Sequence, residues 1–367
     1  MLKFYKAASI NLISNIQPVY LNQLYKTRAI LLKFTIDAGA TGAAAYAWTD
    51  PFSTLALSIK NLQLQIGNGT PVNVSGQLLA YLQYINGKKQ AWQTTTNVPV
   101  LASHAITAHQ WLPIDMSLAF SGHPIDTMIT PDQNLQLLFT PNTAAGAAGG
   151  VFTNAGGLIS NLYLDIYQVF DMNAGEPKGF RPAQKWLTMY SKALTASSTG
   201  QDIIFSVKTG NRISKIILLV GSGVSGAVIP ADGLNALGVD IGGFLPVPYA
   251  MDATVTKAFH FMANEGPPSW NDLQATTIAA ANVAYTAGRQ QEDCGAQTAA
   301  NSFLSTPLGV YPIYAASPQD TNQINQYWPI SNSGINRVTV DTNSAGTLVD
   351  MLVESVEIPP KPVATGS

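Results

Sequence analysis

The chain has little charge, a single cysteine and no long apolar run. Lys, Arg, Asp and Glu make up 11% of its 367 residues, and the formal net charge is −2, whereas soluble domains usually carry about 25% charged residues. This balance argues against a globally basic nucleic-acid-binding protein, and we expect no sequence-specific nucleic acid as a partner. A surface poor in charge is typical of a subunit that hides much of its exterior against neighbours.

Asn, Gln, Ser and Thr occupy 101 positions instead. A polar but uncharged surface predicts an assembly protein, although an ordinary secreted β protein with an amide-rich surface would show the same composition. Cys294 is the only cysteine, so the fold has no internal disulfide framework. No apolar stretch approaches the ~18 residues of a membrane span, and the start of the chain lacks the apolar region of a signal peptide.

Residues that could carry chemistry are few and scattered. The four histidines lack the spacing of a zinc site, and no G-x-S-x-G nucleophile motif is present. The sequence therefore predicts no catalytic residue, no cofactor and no metal, and we expect that the protein is not an enzyme. The run Gly221-Ser222-Gly223-Val224-Ser225-Gly226 matches G-x-G-x-x-G, but Pro230 follows too soon for the helix that a dinucleotide site requires. We interpret it as a turn that ends a strand.

The amino-terminal segment is basic and has apolar residues near helical spacing. Its first 36 residues hold five Lys or Arg and no Asp or Glu, which would favour an anionic surface. We predict an amphipathic helix over residues 1 to about 26, broken or kinked at Pro18.

From Arg28 onward the apolar period changes to two, which indicates strands. A phase slip at Lys60-Asn61 predicts a β-bulge or a bend within the strand at 55–66, and a helix is expected between Ser269 and Ala287. The other predicted strands, in chain order, start at Arg28 and then span Gln77 to Ile85, Ala108 to Phe120, Leu135 to Phe139, Leu158 to Phe170, Gln201 to Val207, Ile213 to Val220, Arg337 to Val340 and Leu348 to Ile358.

The strand Ile59 to Ile66 and its glycine terminator match Ile213 to Val220 and theirs, 154 residues later. This match predicts one β domain written twice. We therefore predict an all-β fold of two tandem eight-stranded jelly rolls with an N-terminal helix and a helical loop insertion. The predicted division is an amphipathic arm at 1–27, jelly roll 1 at 28–172, a linker at 173–185, jelly roll 2 at 186–358 and a tail at 359–367.

Three short motifs resemble the major capsid proteins of tectivirus-like, tailless icosahedral bacteriophages, a double jelly-roll group of the adenovirus lineage. They are Thr49-Asp50-Pro51-Phe52, Tyr167-Gln168 and Gly309-Val310-Tyr311. The resemblance implies a homotrimer that forms a pseudo-hexagonal capsomer, tiles an icosahedral shell over an internal membrane and turns its amino-terminal arm toward that membrane. On this placement Lys3, Lys6, Lys26 and Arg28 are the candidate membrane-facing residues.

The implied partners are other copies of the chain, neighbouring capsomers, penton and minor capsid proteins, and the internal viral membrane. The implied location is the virion capsid, assembled in the host cytoplasm. The alternative from the residues alone is a tandem β-sandwich carbohydrate-binding or depolymerase protein, in which some of the six tryptophans would form a sugar platform.

Overall fold

The computed structural model contains eighteen strands and two α-helices within the residues that it describes. The described residues are 2–12, 17–23, 26–40, 49–50, 52–83, 85–86, 106–115, 134–142, 151, 157–171, 184–224, 227–264, 309–316, 326–330 and 334–357. The helices are α1 (Gly76–Gln83) and α2 (Thr254–Asn264). The strands are β1 (Leu2–Asn11), β2 (Val19–Tyr20), β3 (Lys26–Ala40), β4 (Ile59–Ile66), β5 (Gly69–Val74), β6 (Ile106–Asp115), β7 (Leu135–Pro141), β8 (Gly157–Asp171), β9 (Gln184–Ala193), β10 (Gln201–Phe205), β11 (Arg212–Val224), β12 (Ala227–Pro230), β13 (Leu234–Ile241), β14 (Phe244–Asp252), β15 (Val310–Tyr314), β16 (Trp328–Pro329), β17 (Asn336–Thr342) and β18 (Leu348–Glu357).

The first eight strands form two four-stranded sheets, in the orders β1-β8-β3-β6 and β2-β7-β4-β5. Their inward positions alternate along each strand and are apolar, as in Ile30, Leu32, Phe34 and Ile36 of β3, which are fully buried. This arrangement is an eight-stranded jelly roll, which we call roll 1.

Roll 2 repeats that order with eight later strands. Its sheets run β9-β18-β11-β15 and β10-β17-β13-β14, so its first, eighth, third and sixth strands again share one sheet. Two short strands, β12 and β16, extend the row beside β11. The predicted all-β fold of two tandem eight-stranded jelly rolls is confirmed.

The two rolls are joined edge to edge by strands β5 and β9. Val72 lies opposite Leu187 and Asn73 opposite Thr188 in a parallel pairing. In this strand order the first and fifth strands of a roll run in the same direction. Because β5 is the fifth strand of roll 1 and β9 is the first strand of roll 2, their parallel pairing gives both rolls the same orientation. One end of the molecule, here called the base, therefore carries the starts of β1 and β9 and the ends of β8 and β18. The opposite end is called the far end.

The predicted N-terminal helix is wrong, because residues 2–11 form strand β1 against β8. A register shift between Lys6 and Ala8 places Tyr5 and Ile10 on the same face although they are five residues apart. That odd spacing removed the period of two from the sequence and imitated a helix. Pairing with β8 then outweighs the weak local preference.

The predicted strand over Gln77 to Ile85 is also wrong, because Gly76–Gln83 is helix α1. Its side chains are buried on nearly every side, so the segment has no polar face repeating every 3.6 residues that would have marked it as a helix. The predicted strand at 55–66 begins only at Ile59, after a 3-10 helix over Thr54–Ser58. The bulge predicted at Lys60-Asn61 is confirmed by a register shift between Ile59 and Asn61. The helix expected between Ser269 and Ala287 lies outside the described residues.

The repeat that predicted two domains joined the wrong strands. β4 is the fourth strand of roll 1, whereas Ile213 to Val220 lie in β11, the third strand of roll 2. The true counterpart of β4 is β13, and the hairpin that follows each strand matches at an offset of 175 residues. Ile66-Gly67 corresponds to Ile241-Gly242, with both glycines at positive φ, of 56° and 59°.

Candidate assembly interface

Across the described ranges of the chain, no three His, Cys, Asp or Glu side chains gather into a possible metal site. The G-x-G-x-x-G run lies in a β-hairpin, because β11 continues through Val224 and pairs with β12, with Gly221 opposite Pro230. No helix follows that glycine turn within the described residues, so the geometry of a dinucleotide site is missing there. The candidate functional surfaces are therefore the junction between the two rolls, the base and the exposed sheet edges.

The junction between the rolls buries an apolar face of roll 2 against the core of roll 1. Leu187, Ile217 and Leu352 lie on the outer side of the β9-β18-β11 sheet, yet each is at most 1% exposed and belongs to the core cluster of roll 1. The neighbouring residues Ile216 and Met351 point the other way, into the core of roll 2. This sheet is therefore covered on both faces, as a fixed interface requires.

A buried carboxylate organises the roll 1 side of this junction. Asp50 is 1% exposed and accepts hydrogen bonds from the Phe52 backbone N–H (2.9 Å), Ser53 Oγ (2.6 Å), Gln77 Nε2 (2.9 Å) and the Tyr81 hydroxyl (3.1 Å). Gln77 and Tyr81 lie one helical turn apart on α1, so Asp50 fixes the helix to the chain before β4. Burial, together with the nearby Asp50, raises the pKa of Tyr81 well above its ordinary value, and its hydroxyl remains a donor.

Gln77 carries this network across to roll 2. Its Nε2 also donates to the Val228 carbonyl at 2.7 Å, and its Oε1 accepts from the Val228 N–H at 3.3 Å. One side chain thus satisfies both backbone groups of a residue in β12. Gln77 links Asp50, α1 and roll 2 in a single buried unit.

A cavity of about 200 Å³ lies in the groove between the rolls. It is lined by Lys60 and Gln77 from roll 1 and by Met189, Ser191 and Asp350 from roll 2, among others. Burial raises the pKa of Asp350, while a 2.5 Å hydrogen bond from Ser191 Oγ opposes that rise. Both rolls contribute polar and apolar side chains to the lining of this groove.

The base of the β1-β8-β3-β6 sheet carries the four cationic residues that the sequence analysis singled out. Lys3 lies opposite Phe170, and Lys26 opposite Asp171, while Arg28 is the extra residue at a bulge in β3. Lys6 lies further along β1, where its ammonium group is 2.8 Å from Asp165 and over the ring of Tyr167. The fold thus brings Lys3, Lys26 and Arg28 to one end of the sheet and pairs Lys6 on its outer face.

The tryptophans that the structure describes do not form a common platform. Trp111 lies on the outer face of roll 1 beside Tyr167, Trp186 lies at the base of β9 under Lys208, and Trp328 is buried in roll 2. These three rings occupy separate places, so they give no support to the predicted alternative of a sugar-binding cleft.

Two edge surfaces are open among the residues that the structure describes. On β1, Phe4 is 63% exposed, and on β14 the apolar residues Phe244, Leu245 and Tyr249 are each at least half exposed. Helix α2 exposes Val255 and Phe259, which are one turn apart. Contiguous exposed apolar residues on sheet edges mark interaction surfaces.

Neither these edges nor the role of Asp50 was predicted from the sequence. Asp50 lies within the short motif Thr49-Asp50-Pro51-Phe52, but its role as a hydrogen-bond acceptor leaves no periodic signal in the sequence. The exposed residues of β14 could have been found from the pair Pro246 and Pro248, since prolines in a strand indicate a sheet edge.

Solved structures of viral capsid proteins share this fold over the whole chain. The chain is similar to the major capsid protein of Sulfolobus turreted icosahedral virus, with a TM-score of 0.64 and 13% identity over 100% of both chains. It is similar to the major capsid protein of bacteriophage PM2, with a TM-score of 0.54 and 12% identity over 99% of both chains. It is also similar to a chain of the PBCV-1 virus capsid, with a TM-score of 0.57 and 9% identity over 97% of this chain and 93% of that one.

No protein-family model matches the sequence, and no curated protein matches it significantly. The expected resemblance to double jelly-roll major capsid proteins is confirmed at the level of the fold.

Proposed function

We propose that this chain is a viral major capsid protein that builds an icosahedral shell and performs no catalysis. The observation that carries the proposal is the repeated strand order of two jelly rolls held in one orientation. The likeness of the overall fold to two viral major capsid proteins, along nearly the whole length of each chain, supports it. Such a fold presents many edges and faces for self-association and little else. On this proposal the protein resides in the virion capsid after assembly in the host cytoplasm.

The assembling unit that we propose is a homotrimer. Three copies of two like-oriented rolls would form a ring of six equivalent bodies, which is the pseudo-hexagonal capsomer that can tile a shell with neighbouring capsomers. Penton and minor capsid proteins would occupy positions that such a tile cannot fill. Size-exclusion chromatography with light scattering tests the trimer, since three copies have three times the 39.0 kDa mass of the chain. A particle of 39.0 kDa at every concentration would exclude it.

The base end is the side that we propose to face an internal membrane. Lys3, Lys26 and Arg28 meet there, and cations near an anionic lipid surface gain about 1 kcal/mol each. Lys6 shares its charge with Asp165, so we assign it the smallest part of this attraction. The contact that we propose is electrostatic, since it rests on these cations. None of the described helices is long and apolar enough to cross a bilayer.

Liposome flotation tests the membrane contact without removing β1, whose deletion would open the sheet. We expect the triple variant Lys3→Gln, Lys26→Gln, Arg28→Gln to bind vesicles with phosphatidylglycerol about 100-fold more weakly, from three contributions of about 1 kcal/mol. The matched control is Lys192→Gln, which removes an exposed cation near the far end of β9. Equal binding by the triple variant and the control would refute the membrane-facing assignment.

A further inference from the structure

We propose that β14 and α2 of one copy cover β1 and the outer face of the β1-β8-β3-β6 sheet in a second copy. This contact, here called the seam, would repeat between chains the junction that joins the two rolls within one chain. The inference rests on the proposed homotrimer and names the surfaces that close it.

The two rolls can be compared residue by residue because their third strands share an irregularity. The pairing of β3 with β8 shifts register between Thr27 and Ala29, and the pairing of β11 with β18 shifts between Ile213 and Lys215. Ala29 therefore corresponds to Lys215, and rows of paired residues that cross the sheets at these points are equivalent.

One such row makes Phe4 the counterpart of Leu187. Phe4 pairs with Val169, which pairs with Ala29, while Leu187 pairs with Glu354, which pairs with Lys215. Leu187 is 1% exposed because roll 1 covers it, whereas Phe4 is 63% exposed. A large apolar side chain thus stands open at the position that the intrachain junction buries.

The surrounding face follows the same comparison. Two rows further along the sheet, the paired residues of roll 1 are Tyr167 and Leu31. Their counterparts in roll 2 are the paired residues Leu352 and Ile217. The roll 2 pair is fully buried against roll 1, but the roll 1 pair is only half-buried in the single chain. Roll 1 therefore has a copy of this surface that is only partly covered in the single chain.

The covering elements also have a second, unused copy. In the chain, β5 and α1 lie against roll 2, with Val72 opposite Leu187. The offset of 175 residues makes Val247 of β14 the counterpart of Val72, since each pairs with the equivalent residue of its hairpin, Val239 or Leu64. Helix α2 follows β14 as α1 follows β5.

The exposure of the two helices agrees with this assignment. Helix α1 is buried from Gly76 to Leu82 against β4 and β6 of roll 1, and its Gln77 reaches roll 2, whereas α2 exposes Val255 (47%) and Phe259 (43%) on one face. We infer that this face packs on Leu31 and Tyr167 of the next copy, as α1 packs between the rolls.

At the base of the seam, the larger side chain lies on the opposite strand from the one that carries it at the intrachain junction, so a large residue still faces a small one. Within the chain, Trp186 of β9 lies over Gly69 of β5, with a ring atom 3.6 Å from where a Cβ would be. At the seam the counterparts are Lys3 on β1 and Phe244 on β14. A large residue again meets a slimmer one, and a lysine stem over an aromatic ring adds a cation–π contact while its ammonium reaches toward the base.

The prolines of β14 limit the backbone hydrogen bonds that the seam can form. Pro246 has its counterpart in Pro71 of β5, but Pro248 replaces Asn73, which takes part in the intrachain pairing. A second missing N–H shortens any hydrogen-bonded ladder, so side-chain packing must carry the seam. It also guards the edge against open-ended strand addition.

Disulfide cross-linking tests the seam at single-residue resolution. Paired strands lie about 4.8 Å apart, within the Cα separation that a disulfide spans. In a Cys294→Ser background, oxidised Phe4→Cys, Val247→Cys protein should give covalent dimers and closed trimers on a denaturing gel. Each single cysteine variant and the out-of-register pair Phe4→Cys, Tyr249→Cys should give fewer than one tenth of these products.

The outcomes separate the seam from the proposed function. Cross-linked trimers support the seam. Trimers by light scattering without a cross-link would overturn the seam and leave the homotrimer standing. Monomers at all concentrations would overturn both the seam and the homotrimer.

A second variant probes α2 without cysteines. Phe259→Asp should raise the concentration at half-trimerisation at least tenfold, because it places a charge in an apolar contact. Ile204→Asp is the matched control, since Ile204 is 62% exposed on β10, at the edge of the β10-β17-β13-β14 sheet opposite to β14, and it should shift that concentration less than twofold. Equal effects of the two variants would count against the role of α2, provided that both retain the parental thermal melt.

Discussion

Helices α1 and α2 occupy the same place in the two rolls but are held by different chemistry. Each follows the fifth strand of its roll, yet α1 is enclosed between the rolls while α2 keeps one face open. α1 is anchored by the buried carboxylate of Asp50 and the amide of Gln77. α2 is anchored by an ion pair of Lys257 with Asp232 and by His260 against Tyr314.

The difference shows how burial selects the anchor. A helix enclosed on all sides cannot leave a donor without a partner, so every donor around Asp50 is used. A helix with an exposed face tolerates a partly solvated ion pair, because water solvates the charged atoms that have no partner in the protein. We therefore expect changes around α1 to cost more stability than changes around α2.

The largest effect should come from Asp50→Ala. Several buried donors then lose their acceptor at about 1 to 3 kcal/mol apiece, so we expect the free energy of unfolding to fall by on the order of 3 to 5 kcal/mol. Urea denaturation measures this change. Asp50→Asn should be nearly as harmful, since an amide nitrogen cannot accept, and a loss below about 1 kcal/mol in both variants would break the comparison.

Next in size should be Gln77→Ala. This change removes the link between α1 and β12 and leaves both backbone groups of Val228 unmatched, which should lower the free energy of unfolding by about 2 to 3 kcal/mol. Gln83→Ala is the matched control on the last turn of α1, because the buried Oε1 of Gln83 has no hydrogen-bond partner among the described residues. Equal losses for the two glutamines would show that helix packing, not the bridge, matters.

The third effect concerns His260 of α2 and depends on pH. Burial, and then the charge of Lys215, lower the pKa of His260 to about 4 from an ordinary 6.5. The unfolded chain therefore binds the proton more readily, and stability falls as pH drops from 6.5 toward 4. By linkage the loss is about 2 kcal/mol between pH 7 and pH 5.

Thermal or urea unfolding at pH 7 and pH 5 measures this loss, and His260→Phe should abolish its His260 component while keeping a ring beside Tyr314. If the variant retains the full pH dependence of the parent, another group is responsible, and the account of α2 is wrong.

The smallest effect should come from Lys257→Met. Burial lowers the pKa of Lys257, although the charge of Asp232 and its hydrogen bond oppose that shift, and Asp232 also accepts from the Gly309 N–H at 2.8 Å. We expect about 1 kcal/mol or less, because the carboxylate is partly solvated and methionine keeps the contact with the Tyr311 ring. A double-mutant cycle with Asp232→Asn gives the coupling, and a value well above about 1 kcal/mol would make the two helices alike.

Strand alternation predicted most of the scaffold, because inward residues such as Leu62 and Leu64 must meet a core. It failed where the period is interrupted, as at the bulge between Lys6 and Ala8, and where both faces are buried, as in α1. The repeat was real but was assigned to the wrong strand, since a buried strand ending in glycine looks alike in β11 and β13.

The assembly surfaces were harder to predict, because they depend on which faces the rolls cover. The sequence of β3 and β11 does not reveal that Ile217 is fully buried while Leu31 keeps part of its surface exposed. The cluster of Lys3, Lys26 and Arg28 at one sheet end was predicted as a charge asymmetry. Its position required the strand pairing of β1 and β3 with β8.

Because β5 pairs with β9 in parallel, the base ends of both rolls lie at the same end of the molecule. Peptides attached before Leu2 and after Glu357 would both emerge beside the base, whereas an epitope placed in the turn at 343–347, between β17 and β18, would point the opposite way. A lattice of such molecules could thus carry cargo tethers on one surface and display tags on the other, with one chain supplying both.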